Sequence, residues 1–99
     1  MRLEIHFEAR EEFLQAAQFY EAQVPGLGQR FVNEIERCQI ALLEAPLIGQ
    51  PYGRRLRKFT VGDKFPYSIV YAVLAGVLFV LAYAHGSRRP GYWRTRSVR

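Results

Sequence analysis

The fold turns on residues 65–84, Phe65-Pro66-Tyr67-Ser68-Ile69-Val70-Tyr71-Ala72-Val73-Leu74-Ala75-Gly76-Val77-Leu78-Phe79-Val80-Leu81-Ala82-Tyr83-Ala84. The run has 20 residues without a charge, between Lys64 and Arg88, and is long enough to cross a bilayer as a helix. Its composition argues otherwise. Pro66 and Gly76 are poor helix residues, and three tyrosines (67, 71 and 83) are spread along the run rather than gathered at its ends. Val, Ile, Tyr and Phe favour strands. Ala75-Gly76 splits the run into two halves of strand length, with Gly76 free to take the positive φ of a tight turn. The segment therefore reads as a β-hairpin, Tyr67–Leu74 and Val77–Ala84, and no membrane partner is expected.

Strict alternation about that turn puts Ser68, Val70, Ala72, Leu74, Val77, Phe79, Leu81 and Tyr83 on one face. Tyr67, Ile69, Tyr71, Val73, Leu78, Val80, Ala82 and Ala84 fall on the other. Both faces are apolar, so both are expected to be covered. Upstream, Leu3, Ile5 and Phe7 alternate with charged or polar neighbours as a short strand. From about Ala9 the period becomes helical: Phe13, Ala16, Ala17, Tyr20 and Val24 form one stripe, with Glu8, Glu11 and Glu12 near the favoured N-terminal end. Pro25-Gly26 ends that helix. A second stripe, Phe31, Ile35, Cys38, Leu42 and Ala45, follows so closely that the pair forms an antiparallel hairpin.

Pro46, Gly49, Pro51 and Gly53 then mark a loop, Arg54 to Thr60 a basic strand with Leu56 or Phe59 facing inward, and Gly62-Asp63 a turn. The predicted order is β-α-α-β-β-β: an α+β fold, a small antiparallel-type sheet with the helix hairpin on one face. Two helices cover only one face, and the chain has no evident element left for the other. An outside lid is the expectation, either a dimer mate or another protein's helix or strand, the alternative being partial cover by the C-terminal tail.

The 99 residues suit a single domain, residues 1–99, with 49% apolar and 23% charged residues, and leave no room for a multidomain enzyme. A lone cysteine, Cys38, cannot form an internal disulfide, and Arg2, Glu4 and Glu8 interrupt any N-terminal apolar run, so a cytoplasmic protein is expected. The net charge of +5 conceals an asymmetry. Residues 1–53 hold four Arg against eight Glu, and residues 54–99 hold ten Lys and Arg against Asp63 alone. Such a field recruits an acidic partner, nucleic acid or an acidic protein segment.

No ligands recur at zinc spacing, no nucleophile motif surrounds a serine, and no glycine-rich phosphate loop precedes a helix, so neither a metal nor a cofactor is expected. Glu8, Glu11, Glu12, Glu34 and Glu36 read as solvated helix surface. What remains is the cluster His85, Arg88, Arg89, Tyr92, Trp93, Arg94 and Arg96. Arginine grips phosphate or carboxylate bidentately, aromatics stack on bases, and a histidine exchanges protons near neutral pH. Equally, Tyr92 and Trp93 would cap the core while the arginines bind an acidic protein.

The order of elements, the run Phe65-Pro66-Tyr67-Ser68-Ile69-Val70-Tyr71 and the segment His85-Gly86-Ser87-Arg88-Arg89-Pro90-Gly91-Tyr92-Trp93 resemble the RelE/ParE superfamily of bacterial toxins. The resemblance implies the toxin half of a type II toxin–antitoxin module, with a cognate antitoxin whose acidic, foldable segment neutralises it. That partner would supply both the lid and the negative charge. It also implies one of two targets. RelE-like members cleave mRNA on the ribosome without a metal, and ParE-like members inhibit DNA gyrase.

For a ribonuclease the resemblance implies catalytic roles for Arg88, His85 and Tyr92. Arg54, Arg55, Arg57, Lys58, Lys64, Arg89, Trp93, Arg94 and Arg96 are the expected contacts to target or antitoxin, Arg57 and Lys58 standing for the cations of the sheet. The sequence departs from the RelE pattern at Ser68, where those ribonucleases carry an arginine. Fixed cations stabilise the phosphorane, and losing one such donor costs about 10²–10³ in rate. The gyrase-inhibiting reading is therefore preferred. The ribonuclease, a plain nucleic-acid-binding module and a degenerate toxin are the alternatives.

Overall fold

The computed structural model describes residues 1–96. Its elements run β1 (Arg2–Ile5), α1 (Phe7–Gln23), α2 (Leu27–Glu44), β2 (Gln50–Pro51), β3 (Arg57–Thr60), β4 (Tyr67–Leu74) and β5 (Val77–His85). The sheet order is β1-β5-β4-β3-β2. The expected antiparallel pairing holds from β2 to β5, and β1 joins β5 in parallel, so the sheet is mixed. Two residues, Gln50 and Pro51, add an edge strand where a loop was expected. The long apolar run is the hairpin: Leu74 pairs with Val77, and Ala75 and Gly76 both take positive φ (48° and 77°), as a two-residue turn matching the strand twist requires. Among the described residues no helix is long and apolar enough to cross a membrane.

Helix α1 starts earlier than the periodicity suggests. Phe7, expected on the inner face of the first strand, is its first residue and 72% exposed. The cause is local. His6 takes an extended conformation as N-cap, and its Nδ1 accepts the Glu8 backbone N–H at 3.1 Å. At the other end, Glu21 reaches across the break to accept the N–H groups of Gly26 (2.9 Å) and Gly28 (3.0 Å), capping α2 from the preceding helix. The helices approach most closely at Gly28, where a Cβ would lie 2.5 Å from the Ala17 carbonyl oxygen and 2.9 Å from Glu21 Cβ. Backbone cannot yield cheaply there. Gly28→Ala is expected to destabilise the fold by about 1–3 kcal/mol, read from urea midpoints at unchanged slope. An unchanged midpoint would show the helices free to separate.

The helix hairpin buries Phe31, Ile35, Cys38, Leu42, Ala9 and Ala16 against Ile69, Tyr71, Leu78, Val80 and Tyr83. Tyr71 is fully buried, and its hydroxyl donates to the Pro46 carbonyl (2.7 Å) and accepts from Gly49 N–H (3.0 Å), tying the loop after α2 to the sheet.

On β5 the strict alternation fails. Val70 pairs with Ala82 but Tyr71 pairs with Val80, so Leu81 is an extra residue, a β-bulge. Beyond it every side chain changes face. Tyr83 packs with the helices, while Ala82 and Ala84 join Val70, Val77, Phe79 and Leu81 on the opposite side, the reverse of the expectation for these three.

That opposite face is covered by the chain itself. Trp93, 4% exposed, lies on it, with Tyr52, Leu56 and Tyr92 packed around. The tail reaches it through successive i to i+3 backbone turns, from Arg88 N–H to His85 O through Arg96 N–H to Trp93 O. The expectation that no element remained for this face is corrected: the alternative of partial cover by the tail holds. Leu56 and Phe59 both face inward, on opposite sides of the sheet.

Candidate functional site

Strand β1 ends at Ile5, opposite Val80, so β5 runs on from Leu81 to His85 with its outer backbone edge unpaired by β1. Two side chains satisfy it. Glu12 Oε1 accepts the Tyr83 N–H at 3.0 Å, and Arg96 Nη1 donates to the Leu81 carbonyl at 3.0 Å. The same two residues grip each other bidentately, Nη2 to Oε2 at 2.8 Å and Nη1 to Oε1 at 3.1 Å, with side-chain exposures of only 13% and 8%. Glu12, read as solvated, is thus a largely buried anion, and Arg96, expected to contact a partner, is already held by this chain. A signal existed. Glu12 stands four residues before Ala16 and three after Ala9, on the buried side of α1.

Beside Glu12 lies a pocket of about 340 Å³, whose lining also includes Tyr67, His85, Ser87 and Arg88. His85 Nδ1 accepts the Ser87 backbone N–H at 2.9 Å, which leaves the proton of the neutral ring on Nε2. Tyr67 meets His85 edge to face at 5.0 Å, and burial pushes its phenol pKa up. Arg88 lays its guanidinium over the Tyr92 ring at 3.9 Å, and Arg96 approaches the same ring at 5.1 Å.

Tyr92 itself does not present its hydroxyl. The oxygen is buried beside Glu12 without a well-formed hydrogen bond among the described residues. Burial first, and then the neighbouring carboxylate, push its pKa above the usual phenol value. A phenol so placed stays protonated and out of reach of a substrate. Tyr83 on the helix side is likewise raised by burial and bonds Gln39.

The sheet cations stand apart from this pocket. Lys58 and Arg57 are on β3, two strands from β5, and occupy opposite faces. Arg57 Nη1 is spent on the carbonyls of Leu47 (3.1 Å) and Gly49 (2.7 Å), and Lys58 Nζ rests 4.6 Å from the Tyr52 ring centre. Ser68 is half-buried opposite Ala84. Lys64 and Arg89 are exposed.

A second concavity, about 680 Å³, lies on the tail-covered face, where Trp93 and Tyr52 pack at 5.5 Å between ring centres. Leu56, Ala72, Leu74 and Leu81 form its floor, and Arg54, Arg55 and Arg94 are exposed along its rim. The site residues are thus divided. His85 and Arg88 line the pocket beside Glu12, Tyr92 lies under Arg88 and Arg96, and Arg54, Arg55, Trp93, Arg94 and Arg96 line the groove.

The family model described as "ParE toxin of type II toxin-antitoxin system, parDE" matches residues 3–90, most of the chain. No curated protein matches the chain.

Proposed function

The chain belongs to the ParE toxins of type II toxin–antitoxin systems, and from that premise we propose that it arrests growth by binding DNA gyrase and is neutralised by a cognate antitoxin. The observation that carries the reading against mRNA cleavage is the dispersal of the groups cleavage would need. A metal-free ribonuclease gathers a base, an acid and fixed cations about one phosphate. Here Tyr92 buries its hydroxyl, Arg96 is consumed by Glu12, and Arg57 and Lys58 lie two strands from His85. Only His85 and Arg88 share a pocket, and a carboxylate lines it with them. A binding-type toxin needs no such assembly. Exposed Arg88, Arg89 and Lys64 remain available for a macromolecular surface.

Induced expression in bacteria lacking the antitoxin tests this. The expected result is growth arrest with a DNA-damage response while translated mRNA stays intact. Rapid loss of ribosome-bound mRNA that Arg88→Ala abolishes would replace gyrase with the ribonuclease reading.

A further inference from the structure

Arg88 is held in place without any of its side-chain donors being used. Its backbone N–H bonds the His85 carbonyl at 3.0 Å, closing the turn after β5, and its guanidinium carbon lies 3.9 Å from the centre of the Tyr92 ring. Contact with a ring face consumes none of the five N–H donors of the guanidinium. Among the described residues this exposed side chain has no carboxylate within 4 Å. Two other fixed arginines differ. Arg96 spends its donors on Glu12 and the Leu81 carbonyl, and Arg57 on the carbonyls of Leu47 and Gly49.

The ring that holds Arg88 is itself pinned. Its hydroxyl is buried beside Glu12, and it meets Trp93 edge to face at 5.0 Å and 77°. Arg96 approaches the same ring at 5.1 Å, but its charge is matched by Glu12 and repels Arg88 little. A tyrosine kept for its oxygen presents it or satisfies it, and this one does neither among the described residues. Its ring is the part in use. We propose that Tyr92 is a positioning residue for target binding, whose ring holds the Arg88 guanidinium at the pocket shared with His85, ready to grip an oxyanion of the target. An arginine ordered only on contact gives up affinity to its own rotamer entropy, and one already stacked has lost that freedom beforehand. The proposal rests on the gyrase reading above and adds which residue prepares the contact and through which atoms.

Supercoiling by purified DNA gyrase, measured against rising concentrations of each variant, tests it. Arg88→Ala should raise the half-inhibitory concentration by about tenfold or more, the loss of a charge-assisted contact. Arg88→Lys keeps the charge without the planar fork and should lose about fivefold. Tyr92→Phe keeps the ring and sheds the unpaired hydroxyl, so it should inhibit within about twofold of the wild type and melt no lower. Tyr92→Leu should cost about fivefold, and nothing further in the Arg88→Ala background, where no guanidinium remains to be placed. A readout independent of gyrase accompanies these: the Arg88 Nε–H resonance should be displaced by the ring in the wild type and in Tyr92→Phe, and return to its free position in Tyr92→Leu. Tyr92→Phe failing as badly as Arg88→Ala would show that the hydroxyl matters and overturn the proposal. So would Arg88→Lys at wild-type potency, or Tyr92→Leu losses that add in full to those of Arg88→Ala. Tyr92→Phe and Arg88→Lys decide the matter even if Tyr92→Leu does not fold. Each of these results leaves inhibition by the wild type standing, so the gyrase reading survives them. A wild-type chain without effect on gyrase would remove that reading and the positioning role together.

Discussion

Glu12→Ala is expected to unfold at a much lower temperature than the wild type. The substitution leaves the Arg96 guanidinium, 8% exposed, without its counter-ion, and strips the Tyr83 N–H of its acceptor on the open edge of β5. Breaking one side of a fully buried pair costs about 3–5 kcal/mol, most of it the burden of the uncompensated charge, and for this part-buried pair about 2–4 kcal/mol is expected. For a domain near this size each kcal/mol moves Tm by about 4–8 °C, so a drop of at least ~8 °C is expected in a calorimetric scan. Glu12→Gln keeps an acceptor for Tyr83 and should fall between the two. Removing both charges together, Glu12→Leu with Arg96→Met, should recover most of the loss, because the guanidinium no longer has to be buried unpaired. If the single and double variants melt alike, the pair is a surface contact of little weight. An Arg96 reserved for a target would also behave that way.

Trp93→Ala carries the other large effect. Trp93 is the buried aromatic of the second apolar cluster, packed against Tyr52 and Tyr92 over the sheet face opposite the helices. Truncating a buried aromatic of this kind costs about 3–5 kcal/mol, through lost burial and the cavity left behind. Trp93→Phe retains most of the contact and should lose less than half as much. The equilibrium measurement is the slope-checked urea midpoint of each variant. If Trp93→Ala were neutral for stability yet abolished partner binding, Trp93 would be a contact residue that the free protein holds in place without depending on it.

These two residues mark the limit of what the sequence discloses. The helix stripes, the Ala75-Gly76 turn and the hairpin are local patterns, and each appears in the fold where its period and turn chemistry put it, except that Val24 and Ala45 fall just past the helix ends as C-caps. The Leu81 bulge was invisible because alternation carries information only when one face is polar. Between residues 69 and 84 both faces are apolar, so a one-residue slip leaves no trace in the pattern. Phe7 follows Leu3 and Ile5 in strict alternation, which by pattern alone continues the strand. The capping Nδ1 of His6 instead starts the helix there. Glu12 and Arg96 are 84 positions apart, and no local signal links a carboxylate near a helix start to an arginine in an aperiodic tail.

The candidate site was legible as a set of residues but not as an arrangement. Basic and aromatic side chains cluster after the last strand in sequence, which suggests one surface. In space the bulge and the tail's turns distribute them over two faces. Arg96 and Trp93 become structural, while Arg54, Arg55 and Arg94 are brought together across 40 positions. Charge asymmetry survives this redistribution, because it depends on composition rather than on register.

The measurement that bears most directly on the central claim is the supercoiling of relaxed plasmid by purified DNA gyrase and ATP, with the chain added at rising concentration. A parallel reaction contains translating ribosomes and labelled mRNA. The account predicts that supercoiling is inhibited, that inhibition disappears when antitoxin is supplied in excess, and that the mRNA on the ribosomes stays whole. Full gyrase activity together with cleaved mRNA would contradict it, and would mean that His85 and Arg88 suffice for catalysis despite the buried hydroxyl of Tyr92.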